Sequence, residues 1–592
     1  MRRYILLVLP FILQRVLVEA FSSATPSATS SPKLQSEETE TNVNFVDWIS
    51  DAPDQIKTWK SLKVKGEIPS YVEGTLVRNG GGIWTEDGTS QEEHKMFSHI
   101  FDGLAKIHAY KITKNDENNE ASVQFQTRFL EGEWYNKYSQ QQKLPVAIGT
   151  GPVLDANQQP ITGFWQTLKV ATNILDFDNT PVNIWDYQPN ASGGPYRQIV
   201  AMTDAPPRTT IQLDSMNTLS SSTMNPLAKH AQGFELLCTA HPLYAQNAPI
   251  GTATYTYNVA VEIGIDGPRV NLVQECTNDV DVSDRTIVAS FASEDGIPYF
   301  HSFGISKNYA VLVLQPLRVD ALDLPKTVEK GFLRGMQHVD KTRIVVVDLH
   351  SQEIVLDQSI DEKIYFYHSI STAELTNENG QLEVSLRLCA YKTPDQLTGE
   401  HQFMRLEQAR QGRDYRNKIH KGGLFCDVVC NLEEQSVTAD WKEDIKQGFE
   451  LPVTRYSRSW KDDFFHPSSV KNPSERPHPR YTYAFGAYAL GSSDYDSWGL
   501  FKFDLEENKV AGCYSQDSVY ISEPAFVADP NGQDEDDGVL VTHAYFGREQ
   551  ETKLLVLDAK TMKILAEAST ESRAPLDFHG AWIPKSIFGS TR

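Results

Sequence analysis

The sequence predicts an all-β protein built as a β-propeller of four-stranded blades, and three observations lead there. From about residue 60 onward no long segment carries the 3.6-residue apolar period of a helix; short strand-like runs alternate with turn residues instead. Three segments, Ile344–Leu356, Leu500–Val510 and Leu554–Leu565, share one pattern: an apolar strand, then Asp, four turn-like residues, a charged residue, and Ile or Val. Asp348 to Ile354, Asp504 to Val510 and Asp558 to Ile564 therefore have equal spacing, which reads as one strand–turn–strand hairpin used repeatedly. Hairpins recurring over some hundreds of residues without alternating helices are the mark of a propeller, with loops of differing length inserted between the copies. Two separate β-sandwiches are the alternative; they would need a linker near the middle, where no Gly/Ser-rich or Pro-rich stretch stands.

Length and composition agree. At 592 residues, with 40% hydrophobic and 10% aromatic residues, the chain can bury a large core, which excludes disorder throughout. Lys and Arg number 55 against 78 Asp and Glu, a net charge of −23, so the body repels phosphate backbones. That argues against nucleic acid and for a small or neutral partner. The six cysteines are scattered, with only Cys426 and Cys430 close together. Without a CxxC pair there is no zinc ribbon, and the density is too low for a disulfide framework, so they read as ordinary buried thiols.

Residues 1–20 read as a signal peptide: Arg2 and Arg3 precede an apolar run from Tyr4 to Leu13, which Gln14 and Arg15 interrupt before it reaches membrane-spanning length. A membrane anchor is the other reading. From Phe21 to Ser36 half the residues are Ser or Thr and none is acidic, which has the composition of a transit peptide. A signal peptide, Ala20-Phe21 and this stretch together resemble the two-part plastid address of algae with secondary plastids. Plastid is therefore the expected location, with the secretory pathway or endoplasmic reticulum as the alternative. Residues 21–43 are expected to be disordered, and residues 44–592 to form a single propeller domain. Residues 458–480 and the acidic turn 531–538 read as solvated loops, the second also as a candidate calcium site.

Four of the fifteen histidines share a context, an apolar or aromatic approach followed by His and a small residue or Pro: His241, His301, His368 and His579. None forms a local chelate. In a propeller, however, the innermost strands of all blades converge on one axis, so one His from each of four blades can meet at a point. Imidazole suits Fe, Zn, Cu and Ni, and four neutral imidazoles leave the full metal charge in place. Glu450 and Glu523 lie in apolar surroundings, where a carboxylate needs a partner. The N–H of a metal-held His is one such partner, and a buried Arg or Lys is the other.

At these residues the chain resembles the carotenoid cleavage oxygenase family, which includes apocarotenoid and β-carotene oxygenases, stilbene-cleaving dioxygenases and a retinoid isomerohydrolase. The likeness runs from about Ile56 to Pro584. It rests on Val72-Glu73-Gly74-Thr75-Leu76, Arg78-Asn79-Gly80, His99-Ile100-Phe101-Asp102-Gly103, His108-Ala109, Thr239-Ala240-His241-Pro242 and Phe578-His579-Gly580. The resemblance implies a seven-bladed β-propeller with a helical and loop dome over its top face. It implies ferrous iron, Fe(2+), held by His241, His301, His368 and His579. Three family glutamates orient the imidazoles. Glu450 and Glu523 match two of them, and Asp204 stands where the family has the third. Asp is one methylene shorter, so it is expected to reach through a water or by an inward backbone shift. Ser371 replaces a usual Asn, Glu374 matches, and Gly81-Gly82 replaces Pro-Gly.

The implied activity is oxidative cleavage of a conjugated C=C bond of a carotenoid or apocarotenoid by O2, giving aldehyde or ketone products. An isomerohydrolase of a retinyl-type ester and a stilbene-cleaving dioxygenase are the alternatives. No nucleotide cofactor is expected, since no GxGxxG follows a strand and no Walker motif is present. A polyene substrate implies peripheral membrane contact. Gly163–Phe177, with Phe164, Trp165, Leu168, Ile174 and Leu175, is the candidate docking patch. Phe129, Trp134 and Tyr135 are candidates for the substrate tunnel.

Overall fold

The computed structural model describes residues 45–585, apart from segments 87–94, 115–119, 146–148, 155–158, 161–175, 187–196, 223–232, 245–254, 277–284, 320–328, 399–404, 411–422, 443–477 and 488–497. The signal-like and transit-like segments, the heart of the candidate docking patch, most of the 458–480 loop and Glu450 lie outside the described residues.

The repeated Asp exists to hold a turn. Asp348 Oδ1 accepts the backbone N–H groups of His350 and Ser351, and Asp504 Oδ1 those of Glu506 and Glu507. Asp558 Oδ1 accepts that of Thr561. Four residues after each Asp the chain turns through the left-handed region, at Gln352 (φ 62°), Asn508 (φ 48°) and Met562 (φ 59°). Two further copies follow the same geometry with other residues at the first position. Asn431 accepts from Glu433 and Glu434, with Gln435 at φ 53°, and Gln212 is followed by Met216 at φ 57°. Asn supplies the same acceptor as Asp. A search for Asp alone passes over both copies.

These hairpins close the outer edges of antiparallel sheets that make up the blades. One sheet runs Asn183–Trp185, Gln198–Met202, Arg208–Gln212, Thr218–Ser221. The next runs Phe234–Cys238, Tyr255–Gly264, Gly267–Cys276, Thr286–Ala292. A third runs Gly304–Ile305, Tyr309–Leu314, Thr342–Asp348, Ile354–Ile360, and a fourth Tyr365–Thr376, Leu382–Tyr391, Leu424–Asn431, Ser436–Lys442. A nine-stranded sheet holds two blades, joined where Trp498 pairs in parallel with Tyr520. Its halves are built around Tyr481–Ala487, Trp498–Asp504, Lys509–Tyr514 and around Gly538–Phe546, Glu551–Asp558, Ile564–Ser569.

The seventh blade closes the ring. Its order is Ile56–Leu62, Ala121–Phe129, Ala105–Lys114, Gly74–Gly81, Asp577–Pro584, so the C-terminal strand becomes the innermost strand of a sheet supplied by the N-terminal part of the chain. Val64–Gly66 in turn adds to the outer edge of the neighbouring blade beside Ile564–Ser569. Pairing between the two ends of the chain holds a propeller shut without any covalent link and leaves no open sheet edge at the seam. Gaps between blades are filled by apolar side chains, from Trp48, Trp498 and Tyr520 at one seam to Val313, Val346, Val384 and Val428 at another. Short helices at Ile100–Asp102, Glu133–Gln141, Asp395–Thr398 and Leu406–Ala409, with the pair Met96–Phe97 and Val153–Leu154, form the dome. The five described cysteines are free thiols, as the sequence implied.

Ring closure demands close backbone approach. Gly580 faces Arg78, and a Cβ on it would lie 2.2 Å from the Val77 carbonyl oxygen. Gly580→Ala is therefore expected to destabilise the fold by about 1–3 kcal/mol, measured as a lowered unfolding midpoint. An unchanged midpoint would show that the seam tolerates the extra methyl.

Candidate metal centre

His579 sits on the strand Asp577–Pro584 and His368 on Tyr365–Thr376, each the innermost strand of its sheet. His241 lies between Phe234–Cys238 and Leu243–Tyr244, which share the partner strand Tyr255–Gly264. His301 lies just before Gly304–Ile305, the inner strand of the next blade. The ladder slips register between Phe366 and His368, and between Asn79 and Gly80 opposite His579. Such bulges re-aim side chains.

All four imidazoles are buried, and one ring nitrogen of each lies within 4.8 Å of the other three. His241 Nε2 is 2.9 Å from His301 Nε2, His301 Nε2 is 3.1 Å from His368 Nε2, and His368 Nε2 is 3.1 Å from His579 Nε2. The far nitrogens decide what these contacts are. His301 Nδ1 is 2.6 Å from Asp204 Oδ2, and His579 Nδ1 is 3.3 Å from Glu523 Oε1. A carboxylate accepts only, so it holds the proton on Nδ1 and leaves Nε2 a bare lone pair. The Nε2 lone pairs of His301 and His579 thus point at the shared centre, where a cation could accept them. Metal–nitrogen bonds of about 2.1 Å at right angles place neighbouring nitrogens about 3.0 Å apart, and tetrahedral angles about 3.4 Å apart. The observed separations match the right-angled set, so these residues fit a metal ion with open positions.

Asp204 reaches His301 directly, so its shorter side chain needs no bridging water. It stands in the turn between Gln198–Met202 and Arg208–Gln212, and three donors fix it. These are His301 Nδ1–H, the Tyr299 hydroxyl at 2.8 Å from Oδ2, and the Ala240 backbone N–H at 3.1 Å from Oδ1. Burial, with Asp204 adding, pushes the Tyr299 phenol well above its usual range, so it stays a donor. Glu523 meets both partners foreseen for it: Oε1 faces His579 and Oε2 accepts from Arg78 Nη1 at 2.9 Å.

Behind Glu523 lies a buried network that sequence reading missed. Arg78 grips Asp577 through Nε and Nη2, each at 2.9 Å, and Asp577 also accepts from His543 Nε2 at 2.9 Å. Tyr110 OH lies 2.9 Å from His543 Nδ1. Burial works against the Arg78 charge, but Asp577 and Glu523 more than offset it. Burial alone would raise the Asp577 carboxyl, yet Arg78 and His543 hold it far below the carboxylate range. The signal was Arg78-Asn79-Gly80, a motif whose charge had no stated partner.

Aromatic rings stand over the imidazoles. Phe101 packs edge-on against Phe578 at 4.7 Å and Tyr367 at 6.3 Å, and Tyr367 lies 5.3 Å from His301. Tyr299 lies between Tyr367 and Phe332. Of the three tunnel candidates, Phe129 stacks on Tyr135 and Trp134 meets Phe177 edge-on. Ser371 bonds His478, while Glu374 accepts from Ser306 and Asn308. Gly81 leaves room for the Trp84 ring. In the acidic turn, the candidate calcium site, Asp534, Asp536 and Asp537 each bring a carboxylate oxygen within 4.8 Å of the others, while Asp534 and Asp537 share Lys560 and Asp536 pairs with Lys502.

Residues 51–584 match the family model described as retinal pigment epithelial membrane protein. The chain belongs to this family. Among relatives, the mitochondrial carotenoid-cleaving dioxygenase of Mustela putorius furo is 25% identical over 559 residues, covering 88% of this chain and 93% of its own. The β,β-carotene 15,15′-dioxygenase of Gallus gallus is 25% identical over 566 residues, covering 91% and 97%. A crystal structure of cobalt-substituted Synechocystis ACO superposes with a TM-score of 0.66 at 18% identity, covering 91% of this chain and 98% of that one. An ACO/RPE65 chimera gives 0.67 at 18%, covering 93% and 99%. At that identity the likeness establishes the shared propeller fold.

Two outcomes follow for this family member. Arg78→Met strands two buried carboxylates and should cost about 3–5 kcal/mol, whereas Lys57→Met, at an exposed pair with Glu131, should cost at most about 1 kcal/mol. Chemical unfolding of both variants measures the contrast, and equal losses would contradict it. Burial, aided by nearby arginines, lowers His99 and His478 to about 3. Burial also takes His108 well below its ordinary value. The unfolded chain then binds more protons than the folded one below about pH 6.5. Stability is complete above that pH and should fall as pH drops toward about 3, read as a falling unfolding midpoint. A flat profile over that window would contradict the burial of neutral histidines.

Proposed function

We propose that this protein is a non-haem Fe(II) dioxygenase that cleaves a conjugated C=C bond of a carotenoid or apocarotenoid into two carbonyl products. One observation carries the reading: four Nε2 atoms gathered at right-angle spacing beside a set of aromatic rings. The names of the relatives support the substrate class. His241, His301, His368 and His579 are the ligands, and Asp204, Glu523 and, outside the described residues, Glu450 orient them. When bound, a ferrous ion held by these four imidazoles would supply the site at which O2 is activated, the net electrons coming from the C=C bond that is cleaved.

The chain's own side chains do the rest. Asp204 and Glu523 keep the Nδ1 protons of His301 and His579 in place, so that neither ring turns its N–H toward the reacting centre. Phe101, Phe332, Tyr367 and Phe578 exclude water and offer ring faces and edges to a flat polyene. The hydroxyls of Tyr299 and Tyr367 are turned away into Asp204 and the Gln396 carbonyl, which leaves the rings as the apolar surface.

The substrate lives in a bilayer, so the enzyme docks on a membrane through the 163–177 segment. Its address is the plastid, on the composition of residues 1–36. Among the described residues no helix is long and apolar enough to cross a membrane.

His301→Ala should lose iron and polyene bleaching while keeping the β-sheet circular dichroism of the parent. Cleavage by an iron-free variant would overturn the assignment. Incubating the Fe(II)-loaded protein with a carotenoid panel under isotope-labelled O2 should place label in the carbonyl products. Unlabelled products would point to the isomerohydrolase chemistry instead.

A further inference from the structure

The guanidinium of Arg78 has two carboxylates within reach and treats them unequally. Its paired nitrogens Nε and Nη2 go to Asp577, and only Nη1 goes to Glu523. A guanidinium facing a single carboxylate prefers the two-pronged grip, which occupies both oxygens. Were that grip on Glu523, Oε1 would be drawn off His579. Asp577 takes the grip itself, and His543 Nε2–H, its ring held through Nδ1 by the Tyr110 hydroxyl, completes its anchoring. Glu523 is left with Oε2 on Arg78 and Oε1 facing His579 Nδ1. The three groups Arg78, Asp577 and Glu523 also sum to one negative charge beside the imidazole cluster. Their side chains are 2% exposed or less, so solvent and salt screen that charge weakly.

We propose that Asp577 is a positioning residue for the metal centre: by holding the fork of Arg78 it keeps Glu523 free to orient His579, and it leaves one uncompensated negative charge to favour a divalent cation. Asp577 touches no ligand imidazole with its side chain; it acts through Arg78 and Glu523. Asp577 also begins the strand that closes the ring and pairs with Gly80, so the seam and the metal site share one charge network. The inference rests on the four-histidine metal reading above and adds residues to it.

The test uses Co(II) as a spectroscopic stand-in and reads affinity and the visible d–d spectrum of the full chain. Asp577→Asn keeps the shape and removes the charge. It should weaken Co(II) binding about tenfold, in the range of other outer groups that hold ligands, and shift the d–d bands. Binding within twofold of the parent and an unchanged spectrum would overturn the proposal. His543→Phe withdraws the ring N–H from Asp577 but leaves its charge to Arg78, so Co(II) affinity should hold or rise. A loss equal to that of Asp577→Asn would reveal a packing effect only and also overturn the proposal. If Asp577→Asn does not fold, His543→Phe decides alone, because weakened binding contradicts the charge argument. Should the parent protein itself take up no Co(II), the metal reading fails along with this one. Uptake by the parent with an indifferent Asp577→Asn sinks this inference alone.

Discussion

Four imidazole Nε2 atoms converge on one buried point, and two of them, on His301 and His579, bring a lone pair there. Each imidazole has one proton to give, and in His301 and His579 a carboxylate has already claimed it on the far side. The Nε2 atoms of these two rings therefore offer lone pairs beside His241 and His368, at 2.9 and 3.1 Å. This donor set fits a metal ion, and Asp204 and Glu523 turn two of the rings toward the shared point.

A ring of sheets suits that task because its innermost strands present side chains to a common axis from several directions. Sequence distance then ceases to matter: His241 and His579 lie hundreds of residues apart and still share a site. The arrangement makes the fold and the site interdependent. His579 rides on the strand that shuts the ring, and the Arg78 beside it bonds both that strand and Glu523 of the neighbouring blade. Burying so many ionised groups is unfavourable unless every charge finds its partner. Here the chain of contacts runs without a gap from His579 through Glu523, Arg78, Asp577 and His543 to Tyr110.

The propeller was legible because its hairpin turn needs a side-chain acceptor at one fixed place, and Asp348, Asp504 and Asp558 advertise it. The copies at Asn431 and Gln212 were hidden, since Asn offers the same acceptor under another letter and the Gln212 turn relies on backbone bonding to Met216. The four histidines showed themselves through their apolar approach, which marks an inner strand. Their supporting cast did not. Tyr299 reads as one more aromatic, although its place two residues before His301 puts both side chains on one face and lets it bridge to Asp204. Arg78 and Asp577 are nearly five hundred residues apart, and no local pattern announces that a charge in one needs the other. Phe101 and Phe578, each near a motif histidine in sequence, pack edge-on, and Phe101 also meets Tyr367 beside His301, contacts that no local pattern foretells.

X-ray absorption at the iron edge of the purified, Fe(II)-loaded protein tests the central claim most directly, because it counts the atoms bound to the metal. The account predicts four imidazole nitrogens at about 2.1 Å, with the outer-shell scattering of intact rings and no sulfur. A first shell with sulfur, or with fewer than four imidazoles, would contradict it.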